Sequence, residues 1–235
     1  MLSTAFHNFQ SADLAVQAII SIESKYLDPH TRTSQFAVEG LRGGAAVLMV
    51  AAFENFLREA LTGVLDEINI ASPPCNFARL PIELRVASTF NGLNQALKGP
   101  LGITSDKKAQ RLLNVRMAAM KIVDGKIDVG AIANTRGNPN QQVVLELFRS
   151  IGIKDIFKKS KGTFDALWDS PTATTFIQDN LETIVQRRHV VAHTASALSI
   201  SRTDLSEGRR FLAVFSEVID NILAGHIQGV IRRAR

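Results

Sequence analysis

From Ser34 to Ile68 the chain carries no proline, and Val47, Val50, Leu57, Leu61, Val64 and Ile68 recur at helical spacing. A segment of this length and period predicts a long helix that must bury one stripe against other helices, which constrains the whole fold. Elsewhere helical patterns dominate and no stretch alternates as a strand. The spacing predicts helices over Ser11–Tyr26, Pro81–Lys98, Ser105–Val123, Gln141–Ile151, Thr172–Thr194 and Thr203–Arg233. In the first of these, Leu14, Ala18, Ile19 and Ile22 are expected to face inward, with Ser11 as N-cap. Asp28-Pro29-His30 and Ser72-Pro73-Pro74 end helices, and Gly99-Pro100-Leu101-Gly102 reads as a turn. Gly43-Gly44 allows a close crossing or a bend. Thr203-Asp204 is expected to cap the last helix. Ile156–Trp168 reads as mixed loop or short helix, and Asn134–Pro139 as an exposed loop. The fold class is therefore all-α, an antiparallel helical bundle forming one domain over 1–235, with an N-terminal helix in 1–33 and an insertion over 99–140.

The single cysteine, Cys75, excludes a disulfide framework and any CxxC metal site. Residues 1–10 lack the basic-then-apolar grammar of a secretion signal, and the run Ala45–Phe53 is about half the length that crosses a bilayer. A soluble, cytoplasmic protein with no membrane partner is expected. The formal charge is +5, with cations gathered at Lys107, Lys108, Arg111 and Arg116, at Lys154, Lys158, Lys159 and Lys161, and at Arg232, Arg233 and Arg235. These clusters suit a polyanion such as nucleic acid, and equally suit solvated helix faces.

Two charges sit where apolar residues belong. Within Thr172–Thr194, Leu181, Ile184, Val185, Val191, Ala192 and the following Ala195 lie within about 60° of Arg188 at about 100° per residue. A guanidinium in the middle of an apolar stripe needs an anion. Glu54 lies on the apolar stripe of the long helix, four after Val50 and three before Leu57. A Glu54–Arg188 pair satisfies both if the two helices pack together, and an arginine fork suits a carboxylate in two-point contact. Alternatively each reaches solvent at a helix end.

His189 and His193 stand four apart on one flank of the same helix, beside Gln186 and Glu182. That is the spacing of two zinc ligands in HExxH sites, but Val190 stands where the glutamate belongs and no third ligand is near, so no metal or other cofactor is expected. Packed core histidines are the plain alternative. No Walker, Rossmann or Gly-x-Ser-x-Gly pattern is present; the charge leaves room for a helix-turn-helix DNA binder, although no short recognition helix stands out. Trp168 and most phenylalanines fall on apolar stripes and read as core.

Arg188, His189 and His193 together resemble the signature of HEPN domains, in which an arginine, a polar residue and a later histidine share a helix. Ala52-Phe53-Glu54-Asn55-Phe56-Leu57, Ser150-Ile151-Gly152-Ile153 and the Arg188-to-Thr194 segment resemble the RiboL-PSP branch of that family, over about Phe36 to Ile222. Where the branch often has glycine or serine after the last histidine, Thr194 stands here. The resemblance implies a metal-independent RNA endonuclease whose site is completed across a homodimer, plausible as a toxin or defence effector with an antitoxin or other inhibitor protein. It equally admits a non-catalytic HEPN dimer that binds RNA or a partner protein. Cleavage without a metal needs a base, an acid and positive charge on the phosphate. His193 is then the proton-transfer residue, Arg188 the phosphate grip, His189 an orienting or proton-sharing group, and Glu54 a support.

Overall fold

The computed structural model describes residues 2–98, 105–135, 137–194 and 200–235. Among them are α1 (Thr4–Glu23), α2 (Gln35–Asn69), α3 (Ile82–Lys98), α4 (Ser105–Val123), α5 (Val129–Ile132), α6 (Gln141–Ser150), α7 (Ile156–Trp168), α8 (Phe176–Thr194) and α9 (Arg202–Ala234), with one 3-10 turn at Phe77–Arg79 and no strand. The protein is all-α. The expected turn at Gly99–Gly102 lies outside the described residues.

The chain divides into two interleaved compact units: Met1–Leu57 with Thr135–Val144 and Phe157–Asn221, and Arg58–Asn134 with Leu145–Ile156 and Ile222–Arg235. The first unit is organised by aromatic rings. Phe9 packs on Phe56 at 5.7 Å between centroids, Phe53 on Phe215 at 6.0 Å, Phe211 on Phe164 at 5.7 Å, and Phe164 on Trp168 at 5.5 Å. Phe176, at the first turn of α8, joins the Trp168 end at 5.7 Å. The first turn of α8 is thereby anchored in the core. Offset and tilted pairs of this kind add modestly to the burial of each ring. α9 comes close to both α2 and α8 at Gly208, where a Cβ would meet Met49 Cε at 3.2 Å and Ile184 Cγ1 at 3.5 Å. Of the close crossing or bend that Gly43-Gly44 allows, Gly44 makes no close crossing, since a Cβ there would meet nothing within 4 Å.

α1 starts seven residues earlier than the sequence predicts and buries another face. Ser3 is its N-cap, accepting from Phe6 N at 3.1 Å, and is itself gripped by the buried Asp220, whose Oδ2 accepts from Ser3 N at 2.8 Å. Ser11 is interior to the helix and donates to the His7 carbonyl. Phe6, Phe9 and Val16 face the core, whereas Leu14, Ala18 and Ile22 are exposed and Ile19 is half-buried. Two aromatic rings upstream decide the orientation over a weaker aliphatic stripe.

α7 is a full helix rather than a mixed segment, because Ile156, Phe157, Ser160 and Phe164 form one buried face among its lysines. At the start of α9 the cap is Ser201 rather than Thr203: Asp204 N donates to Ser201 Oγ at 3.0 Å, and Ser201 N donates to Asp204 Oδ2 at 2.9 Å. This is a capping box with aspartate in the usual glutamate place.

By length and composition α2 is long and apolar enough to cross a membrane, but half of its most apolar window is buried within the fold. Val38, Val50, Phe53, Leu57 and Leu61 on it are fully enclosed.

In the second unit α3 packs against α4 and α5. Asn69 clasps Ile127 through both backbone groups, at 2.9 and 3.1 Å, and Asp128 N donates to Ser88 Oγ at 2.8 Å. Gly152 takes a positive φ of 89° in the turn after α6, a conformation glycine adopts without strain.

Candidate active site on helix α8

α8 has a buried face and an exposed flank. Leu181, Ile184 and Val185 are buried and hold the helix to the core. Arg188 falls one turn later, where the expected apolar stripe gives out. Val191 is half-buried and Ala192 exposed, and Ala195 lies outside the described residues. The stripe is therefore shorter than its sequence suggests, and Arg188 sits at its edge rather than in its middle.

The Arg188 side chain is 18% exposed and that of Glu54 17%, with Arg188 Nη2 3.7 Å from Glu54 Oε2. α2 and α8 do bring these two charges together, but not in the two-point contact the sequence suggested. The guanidinium instead donates to the Gly137 carbonyl at 2.8 Å, and Thr135 Oγ1 donates to Glu54 Oε1 at 2.6 Å. Glu54 thus uses one oxygen to face the cation and the other to hold the 134–140 segment. That segment, expected as an exposed loop, is only partly so: Thr135 and Pro139 are buried. Arg136 is outside the described residues. Thr135 and Gly137 were not recognised in the sequence, since nothing local marks a loop whose partners lie dozens of residues away.

His189 and His193 are both exposed on the next face, with ring centroids 4.2 Å apart. They are not packed core histidines. Neighbouring Arg187 is fixed by Asp204, Nη2 to Oδ1 at 2.7 Å. Burial works against the Asp204 carboxylate, but hydrogen bonds from Ser201 and the charge of Arg187 outweigh it and hold its pKa below the usual aspartate value. The capping box of α9 thereby clamps α8 one residue before Arg188. Along the flank shared by Glu182, Gln186 and the two histidines, an open groove of about 500 Å³ is lined by Asp179, Glu182, Gln186 and Arg187 among others, so it carries both signs of charge.

A second buried charge cluster in the same unit was not seen in the sequence. Glu23, 1% exposed, accepts from Arg42 Nε at 2.7 Å and from Arg202 Nε at 2.6 Å. Arg42 Nη1 also donates to the Ile200 carbonyl, and Arg202 Nη2 to that of Tyr26. The hydrogen bond to Glu23 raises the pKa of Arg202 above the ordinary arginine value. Arg42 lies on the buried stripe of α2 with Val38, Ala45 and Met49, so the criterion that singled out Glu54 would have found it. Among the described residues no three His, Cys, Asp or Glu side chains converge as metal ligands.

Comparison with known families meets this geometry at one point. The model of the RiboL-PSP-HEPN family matches residues 15–225. The chain belongs to that family. The match spans α2, with Glu54, and α8, with Arg188, His189 and His193, so both halves of the ion pair are inside this HEPN domain. No curated protein and no solved structure matches the chain.

Proposed function

We propose that this HEPN protein is a metal-independent RNA endonuclease, with Arg188 gripping the scissile phosphate and His193 moving protons. The observation that carries this reading is a guanidinium held at the edge of the core by Glu54 and the Gly137 carbonyl, on the same helix as two exposed imidazoles in mutual contact. A fixed, always-charged fork suits the non-bridging phosphate oxygens, and its remaining N–H groups supply charge where it develops in the transition state. Imidazole titrates near neutrality and serves as base or acid. The 2′-oxygen gives up its proton and bonds to phosphorus, and the bond from phosphorus to the 5′-oxygen breaks. That oxygen takes a proton, leaving a 2′,3′-cyclic phosphate and a 5′-hydroxyl.

His193 carries the proton transfer and His189, beside it, orients the phosphate or shares that work. Glu54 is a positioning residue, acting through Arg188. One α8 offers one base and acid pair, and a second copy in a homodimer completes the composite site. The protein acts in the cytoplasm as a toxin or defence effector restrained by an antitoxin or other inhibitor.

The test is cleavage of varied RNAs by purified protein in excess chelator. Cutting that disappears in Arg188→Ala and in His193→Ala, with both variants folded, is the expected result. If no preparation cuts any RNA while the wild-type protein still binds it, the HEPN domain is a binding module, and loss of cutting on adding chelator points to a metal enzyme.

A further inference from the structure

α4 is turned inside out. With Ala118 as zero and about 100° per residue, the residues that face the rest of the second unit are Arg111, Val115 and Ile122, all within about 60° of it, and only Ala118 is buried. Leu113, Arg116, Met120 and Val123 fall within about 40° of the opposite line, and all four are exposed. α3, packed beside it, does the same. Leu84, Ser88 and Gly92 are buried, while Val86, Phe90 and Leu97 lie within about 20° of the opposite direction and Phe90 is 70% exposed. A soluble domain rarely leaves so many neighbouring apolar side chains in water unless something covers them.

The charge on this hairpin says what kind of partner covers it. α4 holds Lys107, Lys108, Arg111, Arg116 and Lys121 against a single carboxylate, Asp106. Lys121 reaches Asp128 at 2.9 Å and Arg111 donates to the Leu97 carbonyl. Lys107, Lys108 and Arg116 are exposed and meet no described carboxylate. A second copy would set this basic helix against its like. A lipid surface would have to take Arg116, in the middle of the apolar stripe, among acyl chains. A protein helix with an apolar face and carboxylates on it meets both demands, since each Arg116-like cation finds an anion while leucine-type side chains fill the space beside Phe90 and Met120.

We propose that the outer face of the α3–α4 hairpin is the docking site for an acidic amphipathic helix of a partner protein, anchored by Phe90, Leu113, Met120 and Val123 and paired by charge with Arg116. The probe is a designed 18-residue helical peptide with leucines on one face and glutamates along its edges, titrated by fluorescence anisotropy onto the full chain. It binds in the micromolar range at low salt, and the same peptide with lysines for glutamates binds at least tenfold more weakly. Phe90→Glu and Met120→Glu each weaken the acidic peptide at least tenfold, and Arg116→Glu about threefold to tenfold. All three positions are exposed, and circular dichroism checks that the variants keep their helix. The proposal is overturned if the acidic peptide does not bind or if both peptides bind alike. It is also overturned if Met120→Glu dissociates an oligomer of the chain itself, or if anionic phosphatidylserine vesicles take up the wild type and not Met120→Glu.

Discussion

Two ion clusters in the first unit are built from the same residue types and differ in what surrounds them. Glu23 is enclosed, and both its oxygens are taken by the arginines of α2 and α9. Glu54 and Arg188 are also mutually placed, but each keeps about a sixth of its side chain in solvent and their contact is a loose 3.7 Å. In the first arrangement the anion is sealed and both its oxygens are bonded, although Arg202 keeps 28% of its side chain exposed, and the cluster holds helices together. The second holds a cation in place while leaving it open to an anion from outside. Fixing a charge and satisfying it completely are different structural tasks, and a site needs the first without the second.

The largest expected effect of breaking this contrast is on the sealed side. Glu23→Ala takes the buried anion from Arg42, which keeps only Asp28 at 3.2 Å, and from Arg202, and costs about 3 kcal/mol, seen as a melting temperature lower by about 10 °C. Arg188→Ala costs about 1 kcal/mol in the same thermal scan, because its contact with Glu54 is loose at 3.7 Å and Thr135 still satisfies Glu54. RNA cleavage by that variant falls about 100-fold or more. Equal instability of the two variants would erase the distinction.

Asp204→Asn sharpens the contrast from the neighbouring position. Its folded pKa lies below the usual aspartate value, so its contribution is present above about pH 4 and fades as pH falls through the folded pKa. The variant loses about 1 kcal/mol at neutral pH, and its stability changes less on acidification than that of the wild type, as urea titrations at pH 7 and pH 3 would show. The smallest effect on folding is His193→Ala, within about 0.5 kcal/mol because the ring is exposed. Yet cleavage is lost.

How far the sequence could be read follows the range of the interactions involved. α2, α3, α4 and α6 keep their expected limits to within a residue or so, because periodicity and proline breaks are local signals. The two misplaced charges were legible for the same reason: a carboxylate among Val50 and Leu57 contradicts its surroundings within a single turn. α1 was misplaced because Ser11 looks like a cap, while the group that fixes the real one, Asp220, is at the other end of the chain. The Gly137 carbonyl that takes the Arg188 hydrogen bond leaves no mark on any period, since a backbone oxygen carries no residue type. The outward apolar stripes of α3 and α4 were invisible for a different reason. Hydrophobic spacing shows that a face exists but not whether this chain or another one covers it.

The most direct test of the account is the chemistry of the cut ends, read on a defined RNA incubated with the protein in excess EDTA. Attack by the ribose hydroxyl under Arg188 and His193 predicts a 2′,3′-cyclic phosphate on one fragment and a 5′-hydroxyl on the other. Fragments ending in a 3′-hydroxyl and a 5′-phosphate, or identical cutting by Arg188→Ala, would contradict it.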